Sequence, residues 1–202
     1  MNRILLKRKI YLVAGLAALS LAFYGCSLLR PSIVEENDVV YSTKRFLLSN
    51  IIMVSDPRSP SIPLEQSIVK EIKANGEVTC TFYDVLTLSS TSFKLKDEVF
   101  LIADSKVFPM TLVDKELEQV KNIEEKKSDI LKADSTKVSV VTGYSEENKK
   151  VYRFTYRPSD EVLAAIKSSK ELLIRYYAGP KMLTATLKGT NLELIKQLLD
   201  KK

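Results

Sequence analysis

Four side chains are spaced so that they could bind an anion. Arg153 and Arg157 stand four apart in Val151-Tyr-Arg-Phe-Thr-Tyr-Arg157, and Arg175 and Tyr177 stand two apart in Glu171-Leu-Leu-Ile-Arg-Tyr-Tyr177. Residues at even spacing share one face of a strand. If the two strands lie side by side, three guanidiniums and a phenol gather on one surface. Guanidinium forks suit the carboxylate or phosphate groups of an anionic glycan, a lipid headgroup or an acidic partner. The alternative is a solvated outer face whose arginine stems cover apolar neighbours. Catalytic groupings are harder to find. Histidine is absent, which removes the usual general base and the commonest transition-metal ligand. No phosphate loop or metal-ligand spacing occurs, so neither metal nor cofactor is expected. Asp56, Asp84 and Asp104 read as ordinary turn or loop acids. A Ser–Lys dyad or a carboxylate pair meeting in space is the remaining route to catalysis, because such groups leave no local signature.

The thiols are the other reactive groups. Arg3, Lys7, Arg8 and Lys9 form a basic lead, the 15 residues from Ile10 to Tyr24 are almost wholly apolar, and Gly25-Cys26 ends the run. A basic segment, an apolar segment and a small residue at the cut are the parts of an export signal. With a cysteine directly behind the small residue, the stretch resembles a bacterial lipoprotein signal. Gly25 stands where such signals have it, while Phe23 and Tyr24 replace the more usual Leu and Ala or Ser. The resemblance implies that residues 1–25 are a signal peptide and that Cys26 is the lipid attachment site and mature N-terminus. Ser27 lacks the acid that retains some lipoproteins at the inner membrane, so the outer membrane or cell surface is implied. An uncleaved anchor is the alternative. The run reaches about 22 Å as a helix at roughly 1.5 Å per residue, short of a bilayer core of about 30 Å. Extension to Leu29 would let it span. Either reading leaves the rest of the chain outside the cytoplasm.

The formal net charge is +6, from 31 basic and 25 acidic residues. Four of the basic residues precede Cys26, which leaves 27 against 25 and a net of +2. That balance argues against nucleic acid as a partner. The 177 residues from Cys26 onward suit one domain. With Cys26 lipidated, Cys80 has no partner in the chain, and the domain must rely on its core.

Residues 26–38, with Pro31 and the acids Glu35, Glu36 and Asp38, read as a tether. Arg45 to Ser55 is rich in apolar and β-branched residues and reads as a strand, and Pro57, Pro60 and Pro63 predict an extended loop. Asn75-Gly76 predicts a type I′ hairpin turn within Ile68–Leu88. On its far side Val78, Cys80 and Phe82 alternate with polar residues, which points Cys80 inward as an inert thiol. A second hairpin is expected over Glu98–Leu112. Asp114 to Ala133, more than half charged, reads as a solvated helix or a long hairpin arm. Two strands, Lys137–Thr142 and Val151–Arg157, are expected on either side of a polar loop through Glu146, Glu147 and Asn148. Ser159 caps a short helix, Glu171–Tyr177 and Met182–Leu187 pair across Gly179-Pro180, and Leu192, Ile195, Leu198 and Leu199 form the apolar stripe of a closing helix.

Many short strands joined by turns predict a mainly β fold, an antiparallel β-sandwich over residues 39–202 with a C-terminal amphipathic helix. This order of a central hairpin, a short helix before a strand pair and a closing helix is similar to that of small bacterial envelope lipoproteins of unassigned function. The resemblance implies a lipid-anchored, non-catalytic binding or assembly module that contacts another envelope protein or an anionic surface ligand. An envelope enzyme using a spatially assembled Ser/Lys or carboxylate pair is the alternative.

Overall fold

Alternation with a period of two governs the domain. In the computed structural model, which describes residues 31–56, 59–131 and 137–202, ten strands and two helices follow one another. They are β1 (Ile33–Asp38), β2 (Thr43–Asp56), β3 (Ser59–Lys73), β4 (Val78–Ser89), β5 (Val99–Ala103), β6 (Lys106–Met110), β7 (Leu112–Leu131) and β8 (Lys137–Tyr156), then α1 (Asp160–Ser168), β9 (Glu171–Ala178), β10 (Lys181–Lys188) and α2 (Thr190–Asp200). The fold is mainly β and antiparallel throughout. The signal segment 1–25 and Cys26 lie outside the described residues.

All ten strands belong to one hydrogen-bonded sheet, in the order β6-β5-β9-β10-β2-β3-β4-β8-β7, with β1 beside β2. Thr111 alone joins β6 to β7, the two ends of that order, so the sheet must curl to bring its ends together. The curl carries β9 over β4 and β8, where the rings of Phe154 and Tyr176 stack at 5.8 Å. Inward positions alternate along each strand: Phe82, Leu86 and Leu88 on β4, Tyr152, Phe154 and Tyr156 on β8, and Leu172, Ile174 and Tyr176 on β9 are all buried. From α2, Leu192, Ile195, Leu198 and Leu199 are buried as the stripe predicts, in contact with β2, β3, β10 and α1. The core runs from Phe46 to Leu199. The unit Ile33–Lys202 therefore holds its own core, as an independently folding domain does.

Five expectations are corrected. Residues 33–38 of the expected tether form β1, paired from Ile33↔Leu48 to Asp38↔Thr43. Four of its six side chains are exposed, so no alternation marked it as a strand. The proline segment is strand from Ser59, with Pro63 opposite Met53. Because β4 joins β3 only from Leu64, Pro63 lies where a missing N–H is tolerated. The Asn75-Gly76 hairpin forms with a three-residue loop in which only Gly76 has positive φ (84°). Gly76 N–H donates to Lys73 O and Lys73 N–H to Glu77 O, both at 2.9 Å, the pattern of a tight turn closed by a left-handed glycine. The polar stretch through Glu146–Asn148 is no loop but the middle of β8, paired with Lys121–Ile123. Val78 is exposed, unlike Cys80 and Phe82. Asp114–Leu131 adopts the hairpin-arm alternative.

That arm is long. β4 pairs with β8 over Lys149–Tyr156 and Asn148 O accepts from Ser90 N–H at 2.9 Å, so residues 137–147 are paired with β7 alone. At roughly 3.4 Å per residue these 11 residues form a two-stranded ribbon about 37 Å long.

Candidate functional site

The predicted arginine group is split. β8 lies between β4 and β7, whereas β9 lies between β5 and β10, so the two arginine-bearing strands are not neighbours. Phe154 and Tyr176 meet across the core, so the odd-numbered residues of the two strands point away from each other. Arg153 is engaged by Glu118 at 2.8 Å and Glu116 at 3.6 Å on β7. Its hydrogen bond to Glu118 raises its pKa further. On the other side of the molecule Arg175 donates from Nε to Thr184 Oγ1 at 3.3 Å. Tyr177 makes an edge contact with Phe100 and lies 5.8 Å from the Lys96 ammonium. These three are fixed to local partners. Arg157, by contrast, lines a concave site.

That site is a cleft of about 410 Å³ between the Val78 end of β4, the facing part of β3, and the two helices. Lys70 and Cys80 are cross-strand partners, both turned to the inner face. Lys70 Nζ donates to Leu199 O and Lys201 O, each at 2.6 Å, and so holds the C-terminus of α2. Burial, and then the charge of Lys167, lowers the Lys70 pKa. Lys167 is paired with Asp200 at 2.6 Å, which holds the Asp200 carboxyl below its ordinary value. Arg157 donates from Nε to Thr81 Oγ1 at 3.3 Å and makes no ion pair among the described residues. α1 is anchored here by Ser159, whose side chain accepts from Val162 N–H. Burial pushes the Cys80 thiol up to about 12. It is therefore protonated at neutral pH and is no nucleophile.

A second cluster lies in the core. Asp84, read from sequence as an ordinary acid, is wholly buried. It accepts from Tyr156 Oη at 2.7 Å, Tyr176 Oη at 2.5 Å and Gln66 Nε2 at 2.8 Å. Burial raises its pKa, and the three hydrogen bonds oppose that shift. The two tyrosine hydroxyls are pushed well above their ordinary values, chiefly by burial. Since Tyr176 belongs to the opposite side of the curl, Asp84 ties the two sides together. Asp104, also read as ordinary, holds positive φ (52°) in the β5–β6 turn and accepts from Lys170 and Glu171 N–H.

The sequence does carry a signal for both Lys70 and Asp84. Each occupies an inward position of its strand, Lys70 in phase with Leu64 and Ile68, Asp84 with Phe82 and Leu86. A charge in phase with the core residues marks a buried, partnered group.

Among the described residues no cluster of His, Cys, Asp or Glu could hold a metal ion, and no helix is long and apolar enough to cross a membrane. No protein-family model matches the chain, and no match emerges among curated proteins.

Proposed function

We propose that this chain is a lipid-anchored, non-catalytic binding or assembly module of the bacterial cell envelope. A lipid on Cys26 holds it at the outer membrane or cell surface. Its domain is a sandwich-type scaffold, closed by α2, that carries contact surfaces away from the membrane.

The observation that carries the reading is the β7–β8 ribbon. A two-stranded ribbon is marginally stable alone in water. β7 is the last strand of the sheet order, and Lys121 through Ile130 are all exposed. Ile123, Ile130, Val140, Val141 and Tyr144 present apolar surface along it. Open strand edges are templates for pairing with another chain. Charges of both signs along β7 restrain indiscriminate pairing and favour a chosen envelope protein.

Two experiments test the proposal. Metabolic labelling with a fatty-acid analogue should mark the wild type and Cys80→Ala but not Cys26→Ala. A labelled Cys26→Ala would refute the anchor. Replacing residues 122–147 by an Asn-Gly turn between Lys121 and Asn148 should leave the body folded and abolish crosslinking to a partner in intact envelopes. Equal crosslinking would remove the ribbon from the function.

A further inference from the structure

The cleft beneath the helices has the composition of a ligand site, and nothing above assigns it one. Three cations line it: Lys70, Arg157 and Lys167. Among the described residues only Lys167 of the three has a carboxylate partner, Asp200. Lys70 is 8% exposed and satisfied by two backbone carbonyls, so one of its three donors remains free. Its role as a helix clamp explains Lys70, but not the neighbouring Lys167, whose charge works against it. Cys80, Leu163, Ala164 and Leu199 supply apolar surface to the same wall.

We infer that the cleft binds an anionic amphiphile with a single apolar chain. Its carboxylate or phosphate head would take hydrogen bonds from Arg157, Lys167 and the free donor of Lys70, and its chain would lie along Leu163 and Leu199. An anion placed there offsets the repulsion between Lys70 and Lys167 and gives Arg157, bonded to the Thr81 hydroxyl, an anionic partner. The volume of about 410 Å³ lies low in the range of roughly 300–1,000 Å³ typical of small-molecule sites. It therefore suits one chain and not a two-chain lipid. Asp160 is the one acid on the wall, and its place in the first turn of α1 keeps it with the helix N-terminus. The inference is independent of the membrane anchor and of the ribbon.

Residues 31–202 serve for the test, by titration calorimetry with decanoate, decyl phosphate, decanol and inorganic phosphate. The two anionic amphiphiles distinguish a carboxylate from a phosphate source. At least one should bind about tenfold or more tightly than decanol or inorganic phosphate, since charge-assisted hydrogen bonds and tail burial act together. The double variant Arg157→Gln/Lys167→Gln should weaken binding by about tenfold or more. Ala164→Trp, which fills the cleft from the exposed side of α1, should remove binding while the melting temperature holds. Absence of saturable binding overturns the inference, as does equal affinity for decanol or for inorganic phosphate. Unchanged affinity in the folded variants would place the ligand elsewhere and overturn it too.

Discussion

Replacing Tyr176 with Phe removes one hydroxyl from the tie between the two sides of the curl. The ring itself, stacked on Phe154 at 5.8 Å, is kept. What is lost is the 2.5 Å hydrogen bond to Asp84 Oδ2, while Tyr156 and Gln66 still donate to the carboxyl group. Where the Asp84 carboxyl is ionised, a hydrogen bond to it contributes about 1.5–3 kcal/mol. For a domain of this size each kcal/mol shifts the midpoint by about 2–4 °C, so the melting temperature should fall by about 3–12 °C. Calorimetric melts measure this directly, with Tyr83→Phe as the control at a 41% exposed tyrosine. The pH dependence adds a second readout. Because burial raises the folded-state pKa of Asp84, the folded chain keeps a proton over a range where the unfolded chain has lost it. Stability relative to Asp84→Asn should therefore fall as pH rises from the ordinary aspartate value through the raised one, and be level above it. Tyr176→Phe removes a donor that lowers the folded-state pKa, so it should extend the upper edge of that window to higher pH. A midpoint within about 1 °C of wild type would show that the hydroxyl holds nothing together.

Two further outcomes are expected. Ile195→Asp places a charge at a wholly buried position of α2 and should cost several kcal/mol, read as a large drop in melting temperature; an unchanged midpoint would mean the helix is free of the sheet. With its pKa near 12, Cys80 is thiolate in roughly one molecule in 10,000 at pH 8, so a thiol reagent should modify it only after denaturation. Native modification at the unfolded rate would contradict its burial.

Much of the fold was legible because each buried strand writes its inward face as every second residue. β4, β9, β10 and the apolar stripe of α2 follow from that rule and from turn and cap residues such as Gly179 and Ser159. Strands with no buried face leave no such mark. β1 is mostly exposed, and the outer part of β8 carries Glu146, Glu147 and Asn148 on a ribbon with solvent on both sides. A tether and a loop were the natural readings there, and only pairing with β2 and β7 makes them strands.

The candidate site was less legible. Arg157 was picked out for the face it shares with Arg153, yet its neighbours in the cleft come from β3 and β4, far along the chain, as well as from the adjoining α1. Lys70 and Asp84 were visible only as charges out of keeping with their apolar neighbours. By itself the sequence determined the mainly β class, the inward thiol of Cys80 and the closing helix, and it carries the expectation of a lipid site at Cys26. These are local matters of residue type and spacing. The tertiary structure alone decided which charges meet. The curl of one sheet sent Arg153 and Arg175 to opposite outer faces and brought Lys70, Arg157 and Lys167 around one cleft, because strand order is set by pairing between distant segments.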